Sequence, residues 1–500
     1  MLDACTIPVM SWRLAHVMAA MTAAVLIGTV PAMAGPLQDD LAARRARLME
    51  QLGPDAVAIV WSAPSKVYSL DVDYEFRQDS HLLYLTGIAQ EDSTLVLIPG
   101  AVSVREVLFV RQPDPRREHR NGHILTKEEV TAQSGVKTVY FVNEFEPFVT
   151  ALFNQRVYAA RRNEVSPEFD RFFAAVEGGR ARLALPFGPR PAPSEPLTSP
   201  YEFAAKARDR FLGVSFVDTF PLIAGLRQVK SPYEQAIMTR SGEISSKAHR
   251  AGMAAARPGR YEYEVEAAIE QVYLTNGAMN PGYPSIVGSG PNATILHYGA
   301  SSRQMQAGEL LLVDAAGSYD GYTVDITRSY PVAGTYSEPQ KDIYRLVLEA
   351  QEAGMRAARA GNRTADVERA AEEVVKTGLL KLGLITDAAG DQFRTWYTHG
   401  ICHWIGMDVH DVGDYQRPLA PGMTFVVEPG IYIRPQALDE LPDTPANRAF
   451  KTAVLPAVQK YALIGIRVED SFLLTETGLT SLSAAVPRTI EEIESFMQGR

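Results

Sequence analysis

Cysteine is almost missing from this chain: its 500 residues include two, Cys5 and Cys402. Cys5 lies in a segment expected to be cut away, so no internal disulfide framework is available and the fold must rest on its core. A surplus of positive charge is missing as well. Lys and Arg number 49 against 59 Asp and Glu, for a net charge of −10, and no long basic run occurs. Such a chain repels phosphate backbones, which excludes a nucleic-acid partner. Histidine is scarce at nine residues. No apolar run reaches the ~20 residues that cross a bilayer comfortably.

The longest apolar run, from about Val17 to Val30, follows Arg13 and precedes the small residues Ala32 and Ala34. That is the three-part layout of a secretory signal. Residues 1–34 are therefore expected to be removed on export to the periplasm or outside, leaving no stable membrane insertion. Met10 is an alternative start to Met1. The remaining length is too great for one comfortable core, and two domains of roughly 200 residues or more are expected. "AVAIVWSA", "STLVLIPG" and "REVLFVRQ" read as strands, and "PEFDRFFAAVEG" as a helix between strands. The first domain, 35–225, is therefore α/β. "SPYEQAIM" at 231–238 places Ser then Pro at a helix start, opening a second domain, 226–500. Further helices are expected near 261–277, 338–360 and 364–383. Helices followed by strands occur twice in this half.

Three of the nine histidines, His399, His403 and His410, crowd into "THGICHWIGMDVHDVG". They are either ordinary core and surface histidines or a metal ligand with proton-handling neighbours, and the stretch itself does not decide. "ELLLVDAAGSYDGYTVDITRSY" reads as a hairpin around "GSYDG". With the turn centred on Tyr319-Asp320, Asp314 faces Asp325 at about 5 Å between Cβ atoms. Like charges that close need a metal, a shared proton or an arginine between them. Glu428 and Glu469 each follow an apolar strand-like run, where a carboxylate needs a partner unless it meets solvent. Hard oxygen donors with an imidazole suit Mn²⁺, Zn²⁺, Co²⁺ or Fe²⁺. H-E-x-x-H is absent here, since Gly400 follows His399. Cys402 could act as a nucleophile with His399 or His403 as its base, but on a strand it alternates away from His403 and packs inward.

"HGICHWIGMDVHDVG", "VDAAG…TVDITRSYPVAG", "VVEPGIYI" and "GIRVED" resemble the metal-ligand blocks of the pita-bread metallopeptidases, specifically the Xaa-Pro aminopeptidases (aminopeptidase P) and prolidases. "YPSIVGSGPNATILHY", "LRQVKSPYEQAIM" and "DYEFRQDSHLLYLTG" match the same group in order and spacing. The resemblance implies an α+β protein: a C-terminal pita-bread catalytic domain, as in creatinase and the aminopeptidases, behind a smaller α/β domain. It implies two divalent ions, manganese foremost, with zinc or cobalt as alternatives. Asp314 would bind one ion, His403 and Glu428 the other, and Asp325 and Glu469 both. His297, His399 and His410 would line the pocket, Glu428 would shuttle protons, and Arg467 would orient a ligand carboxylate. The implied substrates are peptides with proline at the second position, cut before the proline, by a homodimer or homotetramer. A Xaa-Pro dipeptidase (prolidase) is the rival reading. A metal-free creatinase-type hydrolase or a non-catalytic peptide-binding homologue has no reason to keep all five ligand positions.

Overall fold

The computed structural model describes residues 35–159 and 166–499, so the expected signal segment lies outside the described residues. The described residues open with α1 (Pro36–Leu52), started by Pro36 and ended by Gly53 at positive φ. Its apolar stripe of Leu41, Leu48 and Leu52 is buried, each side chain contributing roughly 1.5–3 kcal/mol. Then come β1 (Ala56–Trp61), β2 (Thr94–Leu97), β3 (Glu106–Val110), β4 (Thr138–Phe141), β5 (Arg182–Leu185) and β6 (Ser215–Asp218). They form one mixed six-stranded sheet in the order β4-β3-β2-β1-β5-β6. A short helix, α2 (Ser80–Thr86), sits between β1 and β2; the Asp79 carboxylate caps it through the backbone N–H groups of His81 and Leu82. A helix over Phe220–Arg227, α3, leads out of this sheet.

The second half repeats one order twice, two helices followed by strands. First come α4 (Pro232–Ala255) and α5 (Glu262–Thr275), then β7 (Ile286–Ser289), β8 (Leu310–Asp314) and β9 (Thr327–Pro331), an antiparallel sheet ordered as numbered. Next come α6 (Glu338–Ala357) and α7 (Thr364–Lys381), then β10 (Thr424–Val427), β11 (Gly430–Tyr432), α8 (Pro445–Tyr461), β12 (Gly465–Arg467), β13 (Asp470–Thr475) and β14 (Gly478–Ser481). Strands β10, β13 and β14 form one sheet and β11 pairs with β12. The Ser231–Glu234 and Ser337–Gln340 capping boxes start α4 and α6, each satisfying two helix-end donors. A bridge between Thr327 and Glu469 joins the two halves. Their strands thus meet at one seam, with helices outside. No helix among the described residues is long and apolar enough to cross a membrane.

Two expectations need correction. The hairpin register is set by a turn on Asp320-Gly321, both at positive φ, as the tight hairpin turn with Asp-Gly requires. Asp314 therefore faces Thr327, not Asp325. The two-residue slip preserves the face, because strand side chains alternate with period two. Cys402 sits in irregular backbone rather than on a strand, half-buried against the core; burial pushes its thiol up, which leaves it inert. The stretch 434–463 carries α8. Thr444 caps α8, whose first residue is Pro445.

Candidate metal centre

Each acidic side chain of the site is placed by strand geometry. Asp314 is the last residue of β8, and Asp325 lies just before β9. The Ser471 hydroxyl accepts from the Asp325 N–H at 2.8 Å and donates to its carbonyl at 2.7 Å, fixing that backbone from β13. Glu428 follows β10 and is tied to the histidine segment by its N–H bond to the Ile401 carbonyl, 2.9 Å. Glu469 stands between β12 and β13, with its N–H on the Thr327 carbonyl at 3.1 Å. His403 enters from the segment lying beside β10, where the Val426 N–H donates to its carbonyl.

These residues converge. Asp314, Asp325 and Glu469 present ligand atoms within 4.8 Å of one another, and so do His403, Glu428 and Glu469. His403 Nε2 lies 3.4 Å from Glu428, 3.6 Å from Asp325 and 3.9 Å from Glu469. A third group within the same limit joins Asp325 and His403 to His410. The Tyr283 hydroxyl bonds both Asp314 at 2.7 Å and Asp325 at 2.5 Å. Arg467 bonds Asp314 at 2.5 Å, Thr327 at 3.0 Å and the Tyr432 hydroxyl at 2.8 Å. Thr327 in turn donates to Glu469 Oε2 at 2.6 Å.

The charges do not balance. Four carboxylates face one guanidinium. Burial raises the Asp314 carboxyl most, but the Arg467 charge together with hydrogen bonds from Tyr283, Asp325 and Arg467 holds the group below its ordinary value. Asp325, Glu428 and Glu469 are pushed well above theirs, first by burial and then by neighbouring carboxylates. Glu469 is 1% exposed and its Oε1 has no hydrogen-bond partner. A buried anionic oxygen left bare is expensive.

The donor set fits divalent cations. His403 Nδ1 meets the Trp404 carbonyl at 3.1 Å, so that nitrogen carries the proton and Nε2 turns a bare lone pair toward three carboxylates. A cation between them removes both mismatches. Burial, then the charge of His410, lowers the His403 pKa to about 3, keeping the ring neutral, the form able to accept a cation.

The other histidines divide. His297 and His410 are exposed at the mouth, and the His410 ring stands 4.2 Å from that of His403, centre to centre. His399 lies deeper, its Nε2 on the Tyr432 hydroxyl at 2.8 Å and Nδ1 on the Gly400 carbonyl at 2.6 Å. Tyr432 accepts from Arg467, so it donates to His399 Nε2, which places the His399 proton on Nδ1. Sequence reasoning did not single out Tyr283, Thr327, Tyr432 or Ser471. Tyr283, Thr327 and Tyr432 stand inside quoted blocks and Ser471 directly follows one, but nothing in a linear pattern marks a hydroxyl as facing a carboxylate.

Comparison with known proteins agrees with this centre. The model of metallopeptidase family M24 matches residues 236–476, and that of the aminopeptidase P N-terminal domain matches 41–159. The Xaa-Pro aminopeptidase of Escherichia coli K12 is 35% identical, over 91% of this chain and 96% of its own. A structure of zinc-substituted E. coli aminopeptidase P in complex with product superposes with a TM-score of 0.74 at 33% identity, covering 92% of this chain and 98% of that one. The human Xaa-Pro dipeptidase is 34% identical over 56% of this chain and 62% of its own. The chain belongs to metallopeptidase family M24, in its aminopeptidase P branch.

Proposed function

We propose that the protein is a metal-dependent Xaa-Pro aminopeptidase, releasing the first residue of peptides whose second is proline. The observation that carries this reading is the convergence of Asp314, Asp325, Glu428, Glu469 and His403 Nε2 on one buried, anion-rich point. The likeness to aminopeptidases along almost the whole chain favours that activity over the dipeptidase.

Asp314, Asp325, His403, Glu428 and Glu469 would hold the divalent ions, with Asp314 on one side of the cluster and His403 with Glu428 on the other. Oxygen donors with one imidazole suit manganese, and zinc or cobalt would serve. Divalent ions there supply Lewis acidity toward water and the scissile carbonyl at neutral pH. The chain's own groups do the rest. Glu428, beside His403 and 3.8 Å from His399, carries the proton from the attacking water toward the leaving proline nitrogen. His410 and His297, facing solvent at the mouth, donate to the oxygen that gains charge. Arg467 and His399 act together on Tyr432, fixing the floor of the pocket and the orientation of Asp314.

The sequence of residues 1–34 supports export, and the units are 35–225 and 226–500, assembled as a homodimer or homotetramer. The deciding assay offers the Mn²⁺-loaded protein a Xaa-Pro dipeptide and a Xaa-Pro-Xaa tripeptide. Predominant release of the first residue from the tripeptide is expected. Turnover confined to the dipeptide would make the protein a prolidase instead.

A further inference from the structure

His410 belongs to a loop, 405–413, without regular secondary structure. Nothing in such a loop fixes a side chain by itself, yet the His410 ring is held edge-on to His403. The residues two before and one after it, Asp408 and Asp411, both bond the same buried cation, Arg227. Arg227 Nη2 meets Asp408 Oδ2 at 2.7 Å and also bonds Asp411. Lys230 Nζ closes the group, on Asp411 Oδ2 at 2.9 Å and on the Arg227 carbonyl at 2.7 Å. The loop backbone folds around these charges, with the Asp411 N–H on the Trp404 carbonyl at 2.8 Å. Gly406 makes room, since a Cβ there would stand 2.2 Å from Asp411 Oδ2 and 2.8 Å from Lys230 Nζ.

The N-terminal half grips the same loop. Ser80 Oγ donates to Asp408 Oδ1 at 3.0 Å, and Arg77 Nη2 reaches Asp408 Oδ1 at 3.1 Å and the Met407 carbonyl at 3.2 Å. Arg227 Nη1 lies 3.1 Å from His81 Nδ1 on α2. A guanidinium is a rigid planar fork, and one that serves carboxylates on both sides of a residue leaves that residue's backbone little slack. Stability alone does not call for such a cluster, because well-packed apolar side chains usually serve a buried site at least as well.

We propose that Arg227 and Asp408 are positioning residues that set His410 over the metal centre, and that the N-terminal domain takes part in catalysis through them. The inference rests on the reading that His410 acts on the substrate. It makes the contact between domains a determinant of kcat rather than of folding alone.

A double-mutant cycle on the Mn²⁺-loaded enzyme with a Xaa-Pro-Xaa tripeptide tests it. Asp408→Asn is expected to lower kcat about tenfold with little change in KM or metal content, as misplacement of a catalytic group does. In a His410→Ala background the same substitution is expected to change kcat less than about twofold. Arg77→Ala with Ser80→Ala, on the solvent side of the clamp, is expected to lower kcat by a smaller factor that also vanishes without His410. Equal losses in both backgrounds would overturn the inference while leaving the role of His410 intact. An unchanged kcat in His410→Ala alone would overturn both. Should Asp408→Asn lose metal or fail to fold, the Arg77/Ser80 pair decides by the same comparison.

Discussion

Two buried groups of charged side chains lie on either side of His410, and they solve opposite problems. In the Arg227 cluster, two cations meet Asp411 and Asp408, and the charges close on themselves. In the metal centre, four carboxylates meet Arg467, and Glu469 Oε1 has no hydrogen-bond partner. Both assemble residues far apart in sequence, and both have a buried heart, although Asp408 at the edge of the first reaches solvent. The balanced group needs no guest and can serve as a fastener. The unbalanced one is tolerable in the folded chain only with something positive inside it. Charge accounting in the interior therefore separates a structural ion cluster from a ligand site where composition does not.

Three perturbations sharpen that contrast. The largest effect is expected from Glu469→Ala, which removes the proposed shared ligand: peptidase turnover should fall by about a thousandfold or more, with loss of bound metal by elemental analysis. Substantial residual activity would refute the bridging role. Next, the two groups should respond to charge removal with opposite signs in metal-free protein. Lys230→Met strands Asp411 beside a single cation and should destabilise by about 3–5 kcal/mol. Glu469→Gln relieves repulsion and should stabilise by about 1 kcal/mol. Urea unfolding after chelation measures both, and a shared sign would dissolve the distinction. The smallest effect is a pH slope. Burial, then the Arg227 charge, lowers the His81 pKa from 6.5 to about 3, with Asp408 and Asp411 opposing. The folded state thus binds fewer protons than the unfolded, so stability is complete above about pH 6.5 and declines as the pH falls. Between pH 6.5 and 5 this group should account for about 2 kcal/mol. His81→Gln keeps an acceptor for Arg227 and should flatten that part of the profile.

Much of this was legible beforehand, and the failures have physical causes. Helices α4 to α7 begin within a residue or so of their expected starts, the first at its Ser-Pro signal, and β1 to β3 fall inside their β-rich runs. The five residues expected as ligands rest on strand-end carboxylates and a histidine cluster together with a family resemblance, and their side chains converge. The hairpin register was wrong by two because the turn falls on Asp320-Gly321, one residue later than read. Helix α8 was overlooked although Thr444-Pro445 is a sound start signal, its apolar residues being interrupted by Pro456. The clamp around His410 could not be foreseen. Arg227 and Lys230 look like ordinary charges near a helix start, and only the folded chain brings them to Asp411, more than 180 positions away.

Helix α8 has a practical consequence. The stretch that carries it joins β11 to β12, while Glu428 is anchored through Ile401 and Glu469 through Thr327, both elsewhere in the chain. Its approach, around Asp443, is exposed. The excursion can therefore lengthen, shorten or carry a reporter group without pulling on either glutamate, which makes it a natural attachment point for a fluorophore or affinity handle.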